Sequence, residues 1–177
     1  SRRASERPAA PSEANLWHRD WVRLVDASLR RFHGSAILPR PSASAAECAA
    51  LAANKELVVV SHTFDGGDEG PVFNYATQAG LDQFAMDWDE FVRLPSRRSA
   101  EADERDERQR LLDAVAARGC SDGYTGIRIA KSGQRFRITD AVVWNVVDDD
   151  TGDVVGQAAL FRRSACVDVA SSSSSSE

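Results

Sequence analysis

Between Tyr124 and Phe161 the chain carries three runs of alternating apolar and polar residues. They are Tyr124–Ala130, Arg135–Val147 and Val154–Phe161, separated by Lys131-Ser-Gly-Gln134 and Asp148-Asp-Asp-Thr-Gly-Asp153. Connections this short, each with a glycine, predict antiparallel neighbours, because a parallel return needs a crossover of about a dozen residues or more. In the middle run Phe136, Ile138, Val142, Trp144 and Val146 fall at every second position, broken only at Asp140, which predicts a single apolar face. Arg135, Arg137, Thr139 and Asn145 fall on the other. A sheet of this kind needs helices against its apolar side.

Upstream, Trp17, Trp21, Leu24, Val25, Leu29 and Phe32 have the spacing of one helical face, with Gly34 as a stop. Trp17, Trp21, Leu24 and Val25 make that face either a cap on the chain's own sheet or an interface for a protein partner or a second copy. Ser44-Ala-Ala-Glu47 has capping-box spacing and opens a short helix to about Ala53. Leu57–His62 reads as a buried strand, Asp65–Gly70 as an acidic turn and Pro71–Asn74 as a second strand. One or two short helices fit between Ala76 and Leu94, and a long one between Ser99 and Arg118. On the long helix Glu101 and Arg105, Glu104 and Arg108, and Asp106 and Arg110 stand four apart, acid first, the pattern of a solvated charged face. Leu111, Leu112 and Val115 would hold it to the core, and Gly119 ends it.

The expected fold is therefore α+β: a five-stranded antiparallel sheet with helices on one face and an N-terminal helical cap. Residues 1–12 are expected to be a flexible segment, 13–55 the cap, 56–163 the core domain and 164–177 a flexible serine-rich tail.

Several sequence blocks, in one order, carry a family resemblance. They are Val60-Ser-His62, Phe73-Asn-Tyr-Ala76, Met86-Asp-Trp-Asp89, Leu94-Pro-Ser96, Gly126-Ile-Arg128, Arg135-Phe-Arg-Ile138, Val143-Trp-Asn145 and Gly156-Gln-Ala-Ala-Leu-Phe161. Together, over about Leu16 to Arg163, they resemble the MEKHLA domain, a PAS-like family. The literal Met-Glu-Lys-His-Leu-Ala string is absent. So are the homeodomain, leucine zipper and lipid-binding domain that precede this domain in the plant class III regulators. The chain is similar instead to the stand-alone forms of bacteria and algae. The resemblance implies a PAS-like sheet and a sensory or protein-interaction role without catalysis. The alternative is an accessory subunit that docks, without a ligand, on a larger plastid (photosynthetic) complex.

Composition narrows the partners. With 177 residues and 42% hydrophobic content the chain suits one core. A formal net charge of −5 argues against nucleic acid. Cys48, Cys120 and Cys166 are odd in number and widely spaced, which points to a reducing compartment rather than a disulfide framework. No run reaches the roughly 18 apolar residues of a membrane helix. Ser1–Pro11, rich in Arg, Ser and Ala, resembles what remains after organelle import, so a chloroplast stroma or cytoplasmic location is expected.

The chemistry-bearing residues are sparse. A flavin photoreceptor of the LOV type needs a cysteine after the short helices, where this chain has Arg93-Leu-Pro-Ser-Arg-Arg98. No histidine lies between Asp87 and Arg118 to serve as a haem ligand. His18, His33 and His62 lack metal-ligand spacing, so no metal is expected. Asp148–Asp153 resembles a calcium loop, but its twelfth position is Ala159, and a hairpin turn is the expectation. Cys120 follows a helix C-terminus, where the dipole disfavours a thiolate, and no nucleophile motif is present. The chain is thus expected not to be an enzyme and to need no cofactor, although a non-covalently held flavin or another small ligand stays open. Asn74, Tyr75, Tyr124, Arg128, Trp144 and Gln157 are the candidate liners of a ligand pocket, since they combine aromatic faces with hydrogen-bonding groups at strand positions.

Overall fold

The structure is a computed structural model, and it describes residues 7–66, 68–101 and 104–170. Ser171–Ser176, expected to be a flexible tail, and the first six residues of the N-terminal segment lie outside the described residues. Among those described, five helices and six strands follow one another in the order α1 (Arg19–Phe32), α2 (Ala45–Ala52), β1 (Leu57–Thr63), β2 (Phe73–Ala76), α3 (Gln78–Phe84), α4 (Trp88–Phe91), α5 (Arg105–Arg118), β3 (Cys120–Ile129), β4 (Arg135–Val147), β5 (Val154–Arg162) and β6 (Val167–Val169). The strands form one sheet ordered β2-β1-β5-β4-β3, with every pair antiparallel. This is the PAS-like arrangement: the helical segments α3–α5 cross between the second and third strands.

Local chemistry accounts for several boundaries. The Ser44 hydroxyl accepts from the Glu47 amide at 3.2 Å and the Glu47 carboxylate from the Ser44 amide at 2.7 Å, so the capping box opens α2. The Thr77 hydroxyl accepts from the Val59 amide and donates to the Leu57 carbonyl, tying the start of α3 to β1. In the β4–β5 turn the Asp148 carboxylate accepts from the Asp150 and Thr151 amides, both at 2.9 Å, and Gly152 supplies a positive φ.

Four features differ from the sequence reading. First, β4 does not keep one apolar face. Asp140 has φ +53° and, with Thr139, bulges out of register against β3, which has its own bulge at Gly123. The bulge adds a residue, so the face inverts. Phe136 and Ile138 lie on one side together with Ala141, whereas Val142, Trp144 and Val146 lie on the other. Second, helices cover both sides of the sheet. α1 packs on the outer side through Val22, Val25 and Leu29, and α3 and α5 lie on the inner side, while α4 sends Phe91 to the inner core and Trp88 to the outer one. Third, the first helix starts at Arg19 because Leu16, Trp17 and His18 all have positive φ. Fourth, the chain after Arg163 is not all tail, since Val167–Val169 adds a short strand to the edge of β4 at Arg135–Arg137.

Candidate ligand-binding site

The inner side of the sheet does not close completely. Between β1, β3, β4, β5 and α5 lies a cavity of about 70 Å³. Apolar walls come from Val60, Ile138, Val143 and Phe161, and polar groups from Arg108, Tyr124, Arg128 and Gln157. It meets a wider surface groove of about 350 Å³, bordered by Phe64, Asp68 and Arg97. His62, Arg108, Leu112 and Gln157 line both, so they form the neck between them.

Three residues on one strand face build the basic wall. Tyr124, Gly126 and Arg128 stand two apart on β3 and project to the same side. A side chain at Gly126 would collide with the Tyr124 hydroxyl. Its absence lets the phenol lie along the strand, where the hydroxyl accepts from Arg128 Nη2 at 3.2 Å and the guanidinium stands 5.6 Å from the ring centre. Arg128 Nη1 donates to the Ile127 carbonyl at 2.8 Å.

Arg108 faces Arg128 from α5. It is 6% exposed and Arg128 8%, unusual values for arginine. Arg108 Nη2 donates to the Ser96 hydroxyl at 2.6 Å. Neither arginine forms an ion pair among the described residues, although Arg30, Arg40, Arg98, Arg135 and Arg163 all do. Burial, and then the neighbouring Arg128 charge, lower Arg108 to about 10, so it stays cationic at neutral pH. Burial also brings His62 down to about 4; it is neutral, with Nδ1–H donating to the Thr63 carbonyl at 3.0 Å.

The six candidate liners separate by face. Tyr124, Arg128 and Gln157 border the cavity. The Gln157 amide nitrogen already donates to the Leu112 carbonyl and to Asn145 Oδ1, both at 3.2 Å, while Asn145 Nδ2 donates to the Val115 carbonyl at 3.0 Å. These two amides anchor the last turns of α5. Trp144 points the opposite way and donates its indole N–H to the Val25 carbonyl at 3.0 Å. Asn74 is also outward: the Trp21 indole donates to the Ser61 hydroxyl at 2.9 Å, and that hydroxyl donates to Asn74 Oδ1 at 2.7 Å. Tyr75 belongs to the outer core beside His18 and Trp88, its buried hydroxyl without a partner among the described residues. Of the four interface candidates, Val25 is buried in cis, and Trp17, Trp21 and Leu24 are half-buried against the same core.

Arg108 is the site residue that the sequence reading placed on the solvated face. Its signal was present, because 108, 112 and 115 share one helical stripe with the residues that hold α5 to the sheet. Glu101, expected to pair with Arg105, pairs instead with Arg135 at 2.9 Å.

The inner cavity alone lies well below the roughly 300–1,000 Å³ that encloses a drug-sized ligand, so by itself it does not enclose a flavin. Among the described residues no group of His, Cys, Asp and Glu could hold a metal ion. Cys48 and Cys166 thiols are raised by burial, all three cysteines are free, and no described helix is long and apolar enough to cross a membrane.

The MEKHLA domain matches residues 19–165 of the chain. No curated protein matches it. Among solved structures it is similar to the PAS domain of a protein from Colwellia psychrerythraea, at 12% identity, covering 64% of this chain and 86% of that one, with a TM-score of 0.49. It is also similar to a light-oxygen-voltage domain studied with a flavin analogue, at 17% identity, 64% and 77% coverage and a TM-score of 0.48. A variant of Vivid gives 16% identity, 59% and 79% coverage and a TM-score of 0.46.

Proposed function

From the premise that this chain belongs to the MEKHLA domain family, we propose that it is a non-catalytic PAS-like sensory module. A small ligand in the inner cavity biases how α1 sits on the opposite side of the sheet, and α1 passes the change to a protein partner or a second copy. One observation supports this most: cavity and cap meet on the same strands, one residue apart. Val143 borders the cavity, and its neighbour Trp144 is hydrogen-bonded to the α1 backbone. Likewise His62 lies at the cavity neck, while Ser61 accepts from Trp21 of α1. A shift of either strand in response to a ligand is felt directly at the cap.

The test is a native mass spectrum of the protein purified from its own source, followed by one of the denatured chain. A small added mass lost on denaturation is the expected result. A bare chain, alone or bound in a larger plastid assembly without a small molecule, would overturn the sensory reading in favour of the accessory subunit.

A further inference from the structure

A buried arginine is ordinarily held by a carboxylate, because removing its charge from water without a counter-charge is costly. In this chain Arg108 and Arg128, both more than nine-tenths buried, face one cavity with no acidic partner among the described residues. Hydrogen bonds to Ser96, Ile127 and Tyr124 use only part of their donor capacity. The Tyr124 hydroxyl accepts from Arg128, and its own proton has no acceptor among the described residues. Two cations and a phenolic donor thus converge on a space that supplies no negative charge.

We infer that this cavity binds a short-chain monocarboxylate, with the carboxylate between Arg108 and Arg128 and the aliphatic end against Val60, Ile138, Val143 and Phe161. The inference rests on the sensory reading above and adds the chemical class of its ligand. Three features select this class among anions. The donors lie together while the remaining wall is largely apolar, which suits a molecule with one charged end rather than a phosphate charged all round. The volume of about 70 Å³ is far below that of a drug-sized ligand site and suits a molecule of a few heavy atoms. His62 at the neck uses its N–H on the Thr63 carbonyl, leaving a bare Nε2 that repels a second carboxylate.

The experiment uses the full 177-residue chain. Formate, acetate, propionate and butyrate are titrated at fixed ionic strength, against acetamide, phosphate and chloride, with the thermal midpoint and the carboxyl ¹³C line of labelled acetate as readouts. Acetate or propionate should raise the midpoint saturably, with acetamide and phosphate at least tenfold weaker. Arg108→Met and Arg128→Met should each lower carboxylate affinity at least tenfold, and Arg108→Met should raise the midpoint of the anion-free protein by removing a buried, repelled charge. Arg97→Met, on the exposed groove rim, should bind as the parent does. If the methionine variants do not fold, the ¹³C titration of the parent decides alone. Binding that survives both methionine variants, a response to phosphate or acetamide as large as to carboxylate, or no carboxylate binding at all would overturn the inference. A neutral small molecule in the native spectrum would overturn the carboxylate and keep the sensor; a bare chain would overturn both.

Discussion

On its α1 side the sheet presents Val142, Trp144 and Val146 to a cap helix, and on its α5 side, one residue along the same strand, Val143 and Asn145. The outer side is filled. The Trp144 indole is bonded to Val25, the Ser28 hydroxyl accepts from the buried Val147 amide at 3.0 Å, and Asp26, fully buried, accepts from the Ile37 and Leu38 amides and from Arg30. The inner side is anchored just as firmly at the end of α5, where Asn145 and Gln157 hold its carbonyls, yet it keeps a cavity one turn or two earlier. The difference lies in which polar groups are buried. Most outer groups, the Tyr75 hydroxyl excepted, meet backbone or carboxylate partners, whereas the two inner guanidiniums carry like charge and neither has a carboxylate partner among the described residues.

The largest test of this contrast is Trp144→Ala. Removing a fully buried indole from the closed face should cost about 3–5 kcal/mol in chemical denaturation. The carboxylate response of the folded fraction should persist, because Trp144 does not border the cavity. A loss below about 1 kcal/mol would mean that the cap side is not the filled one.

Next comes the pH dependence of the inner side. An unfolded histidine takes up a proton near pH 6.5 and folded His62 only near 4, with Arg108 the adjacent charge. Between those values the unfolded state binds more protons, so stability is full above pH 6.5 and falls as the pH drops, by an amount on the order of 3 kcal/mol by pH 4. Glu47, Glu56, Asp122 and Asp148, all lowered by hydrogen bonds, add their own loss as the pH falls into and below the ordinary carboxylate range. His62→Gln should therefore flatten stability between about pH 6.5 and 5, as read from denaturation midpoints. An unchanged slope would place His62 in water rather than at a buried neck.

The smallest effect sharpens the outer side. Ser28→Ala leaves the Val147 amide without its acceptor inside the α1 interface and should cost about 1–2 kcal/mol. A neutral result would show that water reaches this contact and that the cap is looser than its packing implies.

Much of this organisation was legible from local chemistry. Gly-containing turns at Lys131–Gln134 and Asp148–Asp153 set antiparallel neighbours, and the Ser44/Glu47 box set the start of α2, because turn and cap preferences act over three to five residues. Family membership was legible from blocks spread over most of the chain. Tyr124 and Arg128 were recognised as candidate liners from their strand positions, whereas Asn74, Tyr75 and Trp144 were assigned with them although they face the cap.

The sequence by itself determined the main elements up to β5, their order and the antiparallel pairing of β3, β4 and β5, since periodicity and turn chemistry are written in neighbouring residues. Only the tertiary structure decided which face each side chain occupies. The bulge at Asp140 inverts β4 midway, and an inversion of one residue moves every later side chain to the opposite side. The same holds for Arg108. Its place on a charged helix resembles a solvated position, and its burial opposite Arg128 follows from how α5 is pinned by Asn145 and Gln157, a contact between segments some 30 to 45 residues apart.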